Sequence, residues 1–344
     1  MSESFGRLFI NPILVAFLIA FSVTPLVIKF AWKINIIDDP KKSQHPKTIH
    51  SYPIPRGGGL AIFIALLVAV VIFLPLDKHI LAILLSATLI TIIGLVDDKY
   101  NINPYIRLVG QFIAAWIPIS IGIGIGFINN PFGTGIIDLA KYPILSDLIA
   151  LFWIVFLMNI LNMGAKGVDG QLSGTVAVAA IVIGILSLKF SADIAQWPVI
   201  ILASITAGSF LGFLPWHIYP QKIMPSFSGS NLAGFMLAIL SILSTTKVGT
   251  LAVVLGVPII DTGYTIIRRI ASGKSPVWGD RGHLHHKLLD NGWSKRQVAL
   301  FYWVVTAVLG VFSLSLNASL KLYTIIGVAF LVGGLLLWLT YRSK

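Results

Sequence analysis

Residues His79–Gln111 read HILAILLSATLITIIGLVDDKYNINPYIRLVGQ. The apolar run from His79 to Val96 is long enough to cross a bilayer as a helix, given a rise of about 1.5 Å per residue and a hydrocarbon core of about 30 Å. A second apolar run begins at Leu108, so the polar stretch between them lies where one membrane helix surfaces and the next begins. Two adjacent carboxylates, Asp97 and Asp98, sit there with Lys99 and Arg107 beside them. Ionisable groups at a membrane edge are costly, and they pair or serve a function. Adjacent acids beside cations suit Mg2+ and a phosphate, because hard oxygens bind hard cations and Lys or Arg bind phosphoryl oxygens. Taken alone, the pair reads more readily as a solvated loop. Its company in the chain decides.

That company is apolar. Of the 344 residues, 56% are hydrophobic and 11% charged. A soluble domain of this length is excluded, and a polytopic membrane protein is indicated. Stretches of spanning length fall at about 8–31, 58–76, 79–96, 106–128, 144–164, 172–190, 195–217, 230–247, 248–270, 298–316 and 320–341. The expected fold is all-α: an integral-membrane bundle of about eleven transmembrane helices, forming a single domain over 1–344 with no soluble lobe. Cysteine is absent, so no disulfide supports it. The first apolar run is too long for a secretory signal and lacks a small-residue cleavage site. A net charge of +12 suits anionic lipid, nucleic acid or a phosphorylated substrate. The basic residues lie in short loops between spans, which excludes nucleic acid.

Numbering loops from the first helix, Lys and Arg concentrate in the odd ones. Of 25 cations, only Arg7, Lys78, Lys141, Lys189, Lys247 and Lys321 fall on the other side. This asymmetry predicts a bacterial-type inner membrane protein with odd loops in the cytoplasm, the N-terminus outside and the C-terminus inside. Every histidine but His79 falls on the cytoplasmic side, so the chemistry is expected there. The motif loops are placed at about 32–57, 97–105, 165–171, 217–229 and 271–297.

The first loop, Asp38–Gly59, reads DDPKKSQHPKTIHSYPIPRGGG; its prolines keep it extended and its glycines permit close approach to a ligand. Read only as a positive-inside anchor it would need no ligand. Asn159 and Asn162 lie three apart at the end of the fifth stretch, on one helical face, before Lys166 and Asp169. Such amides either serve a site or join helices. The loop His217–Ser230 offers Lys222 and a Ser-Gly-Ser turn whose N–H groups suit an anion. Gly279–Leu289, GDRGHLHHKLL, invites a zinc reading, which fails because no thiolate or second ligand cluster completes it. Imidazole donors beside Arg281 and Lys287 fit phosphate oxygens better. Asp261, two turns before Arg268, reads as a site acid or a packing group.

In order, KTIHSYPIPRGGG at 47–59, GLVDDKYNINPYIRLVGQ at 94–111, NILN with GVDG at 159–170, PIIDTGYTIIRR at 258–269 and DRGHLHHKLLDNGWS at 280–294 resemble the polyprenyl-phosphate N-acetylhexosamine-1-phosphate transferases. The His-Leu-His-His form is more similar to the GlcNAc branch than to the phospho-MurNAc-pentapeptide translocase. The resemblance implies transfer of a sugar 1-phosphate from a UDP-N-acetylhexosamine, UDP-GlcNAc above all, to undecaprenyl phosphate, releasing UMP and priming a cell-envelope glycan. It also implies Mg2+, with Mn2+ as the alternative. On this resemblance Asp97, Asp98 and Asp169 are the catalytic acids and metal ligands, joined by His283. Lys47, Arg56, Lys99, Arg107, Asn159, Asn162, Lys166, Lys222, Arg281, His285 and His286 bind substrate. The expected partners are polyprenyl phosphate, a UDP-sugar and the bilayer, with a homodimer left open. Three positions depart from the family pattern: Ala165-Lys166 replace a nearer aspartate, His217 replaces an asparagine, and Phe227 stands where a metal-binding aspartate is usual. The metal is therefore expected to shift toward Asp97, Asp98 and Asp169, with Lys166 neutralising phosphate charge. The competing reading is a catalytically silent relative that binds lipid phosphate or nucleotide-sugar as a regulator or scaffold.

Overall fold

The computed structural model describes residues 5–41, 49–244, 247–275 and 281–342. They form an all-α membrane bundle with two short hairpins. In chain order the helices are α1 (Asn11–Lys33, entered through the π-helical turn Gly6–Ile10), α2 (Gly59–Phe73), α3 (Lys78–Tyr100), α4 (Pro104–Ser120), α5 (Pro143–Gly164) and α6 (Gln171–Leu188). They continue as α7 (Trp197–His217), α8 (Ser226–Leu243), α9 (Lys247–Val254), α10 (Gly256–Ala271), α11 (Leu284–Asp290), α12 (Lys295–Ser313) and α13 (Ala318–Arg342). Antiparallel β1 (Ile37–Asp38) and β2 (Ile54–Pro55) close the first loop, while β3 (Phe127–Asn129) and β4 (Ile136–Asp138) form the second hairpin.

Each expected apolar stretch contains a helix, but the count of eleven spans is not reached. Among the described residues eight helices are long and apolar enough to cross a membrane, or nine if α9 and α10 count as one bent span. The shortfall has local causes. Helix α2 has 15 residues and gives way to extended backbone at Leu74, before Pro75. Helix α4 has 17 residues and ends beyond Pro118 as the glycine-spaced run IGIGIG begins. The expected ninth helix is broken by an 80° bend. Pro258 lacks the N–H that would bond back to Val254 and its ring clashes there, so the helix stops at Val254 and restarts at Gly256.

Helix α8 is the centre of the bundle: every residue from Ser226 to Ile242 is buried. It packs against α2, α3, α5, α6, α7 and α9. Such a helix needs no amphipathic stripe, since every side faces protein. Small residues let its neighbours in. A Cβ at Gly94 of α3 would lie 2.6 Å from Ser228 Cβ, and one at Gly59 of α2 would lie 2.5 Å from Ser228 Oγ. Both helices therefore reach the N-terminal turn of α8 at backbone distance. The Ser-Gly-Ser segment, expected as a turn, is thus the opening of a buried helix.

Candidate active site

Helix α3 runs four residues past the expected end, so Asp97 and Asp98 belong to its last turn. Asn101 stops it in the left-handed region at φ 49, its N–H bonding Asp97 O at 2.8 Å. Asn103 then caps α4, with Pro104 at its first position. This tight corner turns Arg107 back onto Asp97, Nη1 donating to both carboxylate oxygens at 3.3 and 3.2 Å.

Asp98 points the other way, into the first turn of α8. Its Oδ1 accepts from Phe227 N–H at 2.9 Å and from Arg56 Nη2 at 3.3 Å. Its Oδ2 accepts from Ser228 N–H at 3.4 Å and Ser228 Oγ at 2.7 Å. A carboxylate from another helix thereby caps α8 and meets the positive end of its dipole. Arg56 is delivered by the β1–β2 pairing and anchored by Asn101 Oδ1 at 2.9 Å. Gly58, expected to admit a ligand, instead admits protein: a Cβ there would sit 2.5 Å from the Phe213 ring.

Lys166 reaches the same place from the end of α5. It bonds Asn162 Oδ1, which also accepts from Ser230 Oγ at 2.9 Å. Its Nζ lies 5.9 Å from the Phe227 ring centroid, and the Arg107 guanidinium lies 4.7 Å from that centroid. Asn159 has the packing role: it donates to Gln111 Oε1 at 2.8 Å, and Gln111 in turn bonds Asn231. Together they bind α4, α5 and α8.

Asp169 lies in a second group. Its Oδ1 accepts from Gln221 Nε2 at 3.1 Å and pairs with Lys295 Nζ at 3.5 Å; its Oδ2 accepts from Gln221 N–H at 3.4 Å. Tyr52 joins through Gln221 O at 3.3 Å, and its phenol is raised above the ordinary value by burial and by Asp169 and Tyr219 nearby. Gln221, Tyr52 and Lys295 were missed from the sequence. Gln221 and Tyr52 have common neutral side chains in polar loops, and Lys295 carries no motif spacing toward Asp169. His217, buried nearby, shares a 2.8 Å hydrogen bond with Ser173 Oγ.

The histidine loop forms a third group. His283 Nδ1 lies 2.9 Å from Asp261 Oδ2, and Leu284 N–H donates to Asp261 Oδ1 at 2.7 Å. Asp261 therefore holds the start of α11. His285 stacks on His283 at 5.4 Å between ring centroids and packs against Gly167, where a Cβ would overlap its ring. His286 lies 4.4 Å from His285. The Gly164–Asp169 segment that meets His285 is shaped by Gln171, whose side chain bonds Gly164 O, Gly167 N–H and Val168 N–H. Arg281 turns outward, pairing with Asp290 at the rim of a cavity of about 460 Å3 lined also by Arg268, Arg269, Lys274 and Lys287.

Two expected site residues are not drawn in. Lys99 lies over Tyr100 at 5.3 Å, and exposed Lys222 over Trp216 at 5.2 Å. Lys47 lies outside the described residues.

The expected ligand trio is not assembled either. Among the described residues no three His, Asp or Glu side chains form a group able to hold a metal ion. The reason is electrostatic: Asp97 is held by Arg107, Asp98 by Arg56 and the α8 N-terminus, and Asp169 by Lys295 and Gln221. Mg2+ takes one or two protein carboxylates in near-octahedral geometry. Asp98 and Asp169 are taken up by protein donors, whereas Asp97, meeting a single Arg107 nitrogen, keeps lone pairs open to a cation.

The glycosyl transferase family 4 model matches residues 80–245. A probable undecaprenyl-phosphate N-acetylglucosaminyl 1-phosphate transferase of Bacillus subtilis is 30% identical over 316 residues, covering 89% of this chain and 84% of the relative. A decaprenyl-phosphate N-acetylglucosaminephosphotransferase of Mycobacterium leprae is 30% identical over 329 residues, covering 86% and 81%. A phospho-N-acetylmuramoyl-pentapeptide-transferase of Bacillus cytotoxicus is 30% identical over 324 residues, covering 87% and 95%. Identity at that level across nearly the whole of each partner, on an all-α membrane bundle, makes this chain a member of glycosyl transferase family 4.

Proposed function

We propose that the protein transfers N-acetylglucosamine 1-phosphate from UDP-GlcNAc to a polyprenyl phosphate of the undecaprenyl type, as the priming step of a cell-envelope glycan. The reaction is placed on the cytoplasmic side. The observation that carries this reading is the convergence of Arg56, Arg107 and Lys166 with Asp97 and Asp98 on the first turn of α8, in a chain whose relatives are named for such transfers.

An oxygen of the polyprenyl phosphate attacks the sugar-linked phosphorus. A P–O bond forms there, the bond from that phosphorus to the bridging oxygen breaks, and UMP leaves with that oxygen. A phosphate monoester has a second pKa of about 6, so the nucleophile is already ionised near neutral pH and needs no strong base. Catalysis is then mainly positioning and charge neutralisation. Arg107 and Lys166 face the phosphates. Arg56, oriented by Asp98 and Asn101, supports them. Asp97 orients Arg107, and Asp169 holds Lys295 toward the same face. His283, oriented by Asp261, braces His285 against the Gly167 turn. Mg2+, expected from the family, would be held by Asp97 and would supply neutralisation of the phosphate charge there.

The test is UMP release by purified protein from a panel of UDP-sugars with undecaprenyl phosphate in detergent. UDP-GlcNAc should give turnover that Lys166→Ala lowers by about 100-fold, the scale of losing one phosphate-positioning cation. Absence of UMP from every sugar, with and without Mg2+, would overturn the proposal. Phe227 beside two cations favours one second reading, a silent relative that binds lipid phosphate or nucleotide-sugar, and that outcome would support it.

A further inference from the structure

The cavity of about 460 Å3 lies between the end of α10, the short helix α11 and the last turn of α13. Ligand sites commonly measure about 300–1,000 Å3. Three local features shape it. Beyond the end of α10, Lys274 N–H turns back to Arg269 O at 2.8 Å, which keeps Lys274 beside the arginine pair. Gly282 lets the Arg268 guanidinium lie against the loop backbone, since a Cβ there would sit 1.8 Å from Arg268 Nη2. Lys287 donates to Thr340 Oγ1 and so joins α11 to α13.

The lining is basic. Arg268, Arg269, Lys274, Arg281 and Lys287 face Asp290, which pairs with Arg281 at 2.6 Å and is the acid among the described lining residues. The excess does not depend on what else these side chains touch. Beyond the described residues the chain has two acids, Glu3 and Asp280. Counting Asp280 and the C-terminal carboxylate wholly to the cavity still leaves five cations against three carboxylates. Asp261, the acid of α10, is taken up by His283 and Leu284. Like charges brought together repel, and an anion between them relieves that repulsion through charge-assisted hydrogen bonds.

The wall also has an apolar side. Leu339 lines it from α13, a helix long and apolar enough to cross a membrane. Trp338 and Tyr341 beside it are exposed, as are Ile267 and Ile270 on either side of the arginine pair. Aromatic side chains exposed at the end of a span mark the level where head groups meet acyl chains. Basic pockets between membrane helices at that level suit lipid head groups. We propose that this cavity holds the phosphate of an acidic phospholipid, whose acyl chains run along the exposed apolar faces of α10 and α13. The site is separate from the transferase reading, because neither Asp97, Asp98 and Asp169 nor their described partners line it.

The experiment is calorimetric titration of the full-length protein in dodecyl maltoside. The probes are water-soluble dihexanoyl phosphatidylglycerol, dihexanoyl phosphatidylcholine, inorganic phosphate and UDP. Phosphatidylglycerol should bind saturably, one per chain, at least about tenfold (1.4 kcal/mol) tighter than phosphatidylcholine or inorganic phosphate. Lys274→Glu and Ser272→Asp each place a carboxylate at an exposed position of the lining, and each should weaken that binding at least about fivefold. Their thermal midpoints report that they still fold. Lys33→Glu, the same charge reversal at the exposed end of α1, should change it by less than about twofold. Inorganic phosphate binding as tightly as phosphatidylglycerol would make this a site for free phosphate and overturn the lipid assignment. Displacement of the lipid by UDP would make the cavity part of the nucleotide site. An equal loss in Lys33→Glu would reduce the effect to general surface charge. Either result would overturn the proposal, as would undiminished binding in both lining variants or no saturable binding by wild type.

Discussion

Asp98 accepts from two backbone N–H groups, a hydroxyl and a guanidinium, with its side chain wholly buried. Removing one partner from such a group leaves the others desolvated and unpaired, and losses of roughly 3–5 kcal/mol are usual for broken buried pairs. Asp98→Ala should therefore lower the thermal midpoint in detergent sharply, and Asp98→Asn less, since one amide oxygen still caps the helix. In a double-mutant cycle, Asp98→Asn and Ser228→Ala should couple rather than add, because both remove the same hydrogen bond. Additive effects on the midpoint would mean that Asp98 does not hold α8. Asp97 gives a contrast at the next residue. Asp97 is buried but its partner Arg107 is partly exposed, and an asparagine oxygen can still accept from Arg107, so Asp97→Asn should lower the midpoint less than Asp98→Ala and act mainly on UMP release. A midpoint loss equal to that of Asp98→Ala would sink this division of labour.

At the scale of elements, the bundle depends on how closely α2 and α3 approach α8. Gly94→Ala would press a methyl into Ser228, and helix backbones cannot yield as a flexible side chain can. It should reduce the yield of folded protein and the thermal midpoint. Gly327→Ala in α13, with nothing within 4 Å of the new methyl, should be neutral or stabilising by up to about 1 kcal/mol. Equal behaviour of the two would contradict the close approach. Much of this level was legible in the sequence. Apolar runs mark their own helices because a span must be long and nonpolar. The order of motifs, the paired acids and the Asn159–Asn162 spacing could also be read directly. What could not be read is where helices stop in polar company: α3 absorbs Asp97 and Asp98 because Asn101, not the acids, carries the stop signal. Nor do sequence distances reveal a carboxylate that caps a helix some 130 residues away. The departure at Phe227 was visible, but the two cations on its ring come from α4 and the α5–α6 connection, and only packing brings them there.

For the whole molecule, the decisive question is whether the three groups share one side of the membrane. Asn101 bonds Arg56, which pairs with Asp98 of α3, itself bonded to the first turn of α8; Asp169 meets Lys295 at the start of α12; and His285 packs on Gly167 beside Asp169. These contacts link the groups across helix ends, and ends in contact lie at one membrane level. The β3–β4 hairpin follows α4 and precedes α5, so it should lie at the opposite level. The cation asymmetry of the loops predicts the cytoplasm for the first level. Because the chain has no cysteine, single thiols can report this cleanly. Asn101→Cys, at an exposed position, should react with a membrane-impermeant maleimide only after the membrane is opened. Thr134→Cys, exposed in the hairpin, should react in intact cells whose outer barrier is permeable to the reagent. Labelling of Asn101→Cys in intact cells, with Thr134→Cys protected, would invert the topology and place the phosphate-binding face on the side without nucleotide-sugar. Labelling of both in intact cells would break the one-sided arrangement itself, because no bundle joined by these contacts exposes α3's end and the hairpin to the same compartment.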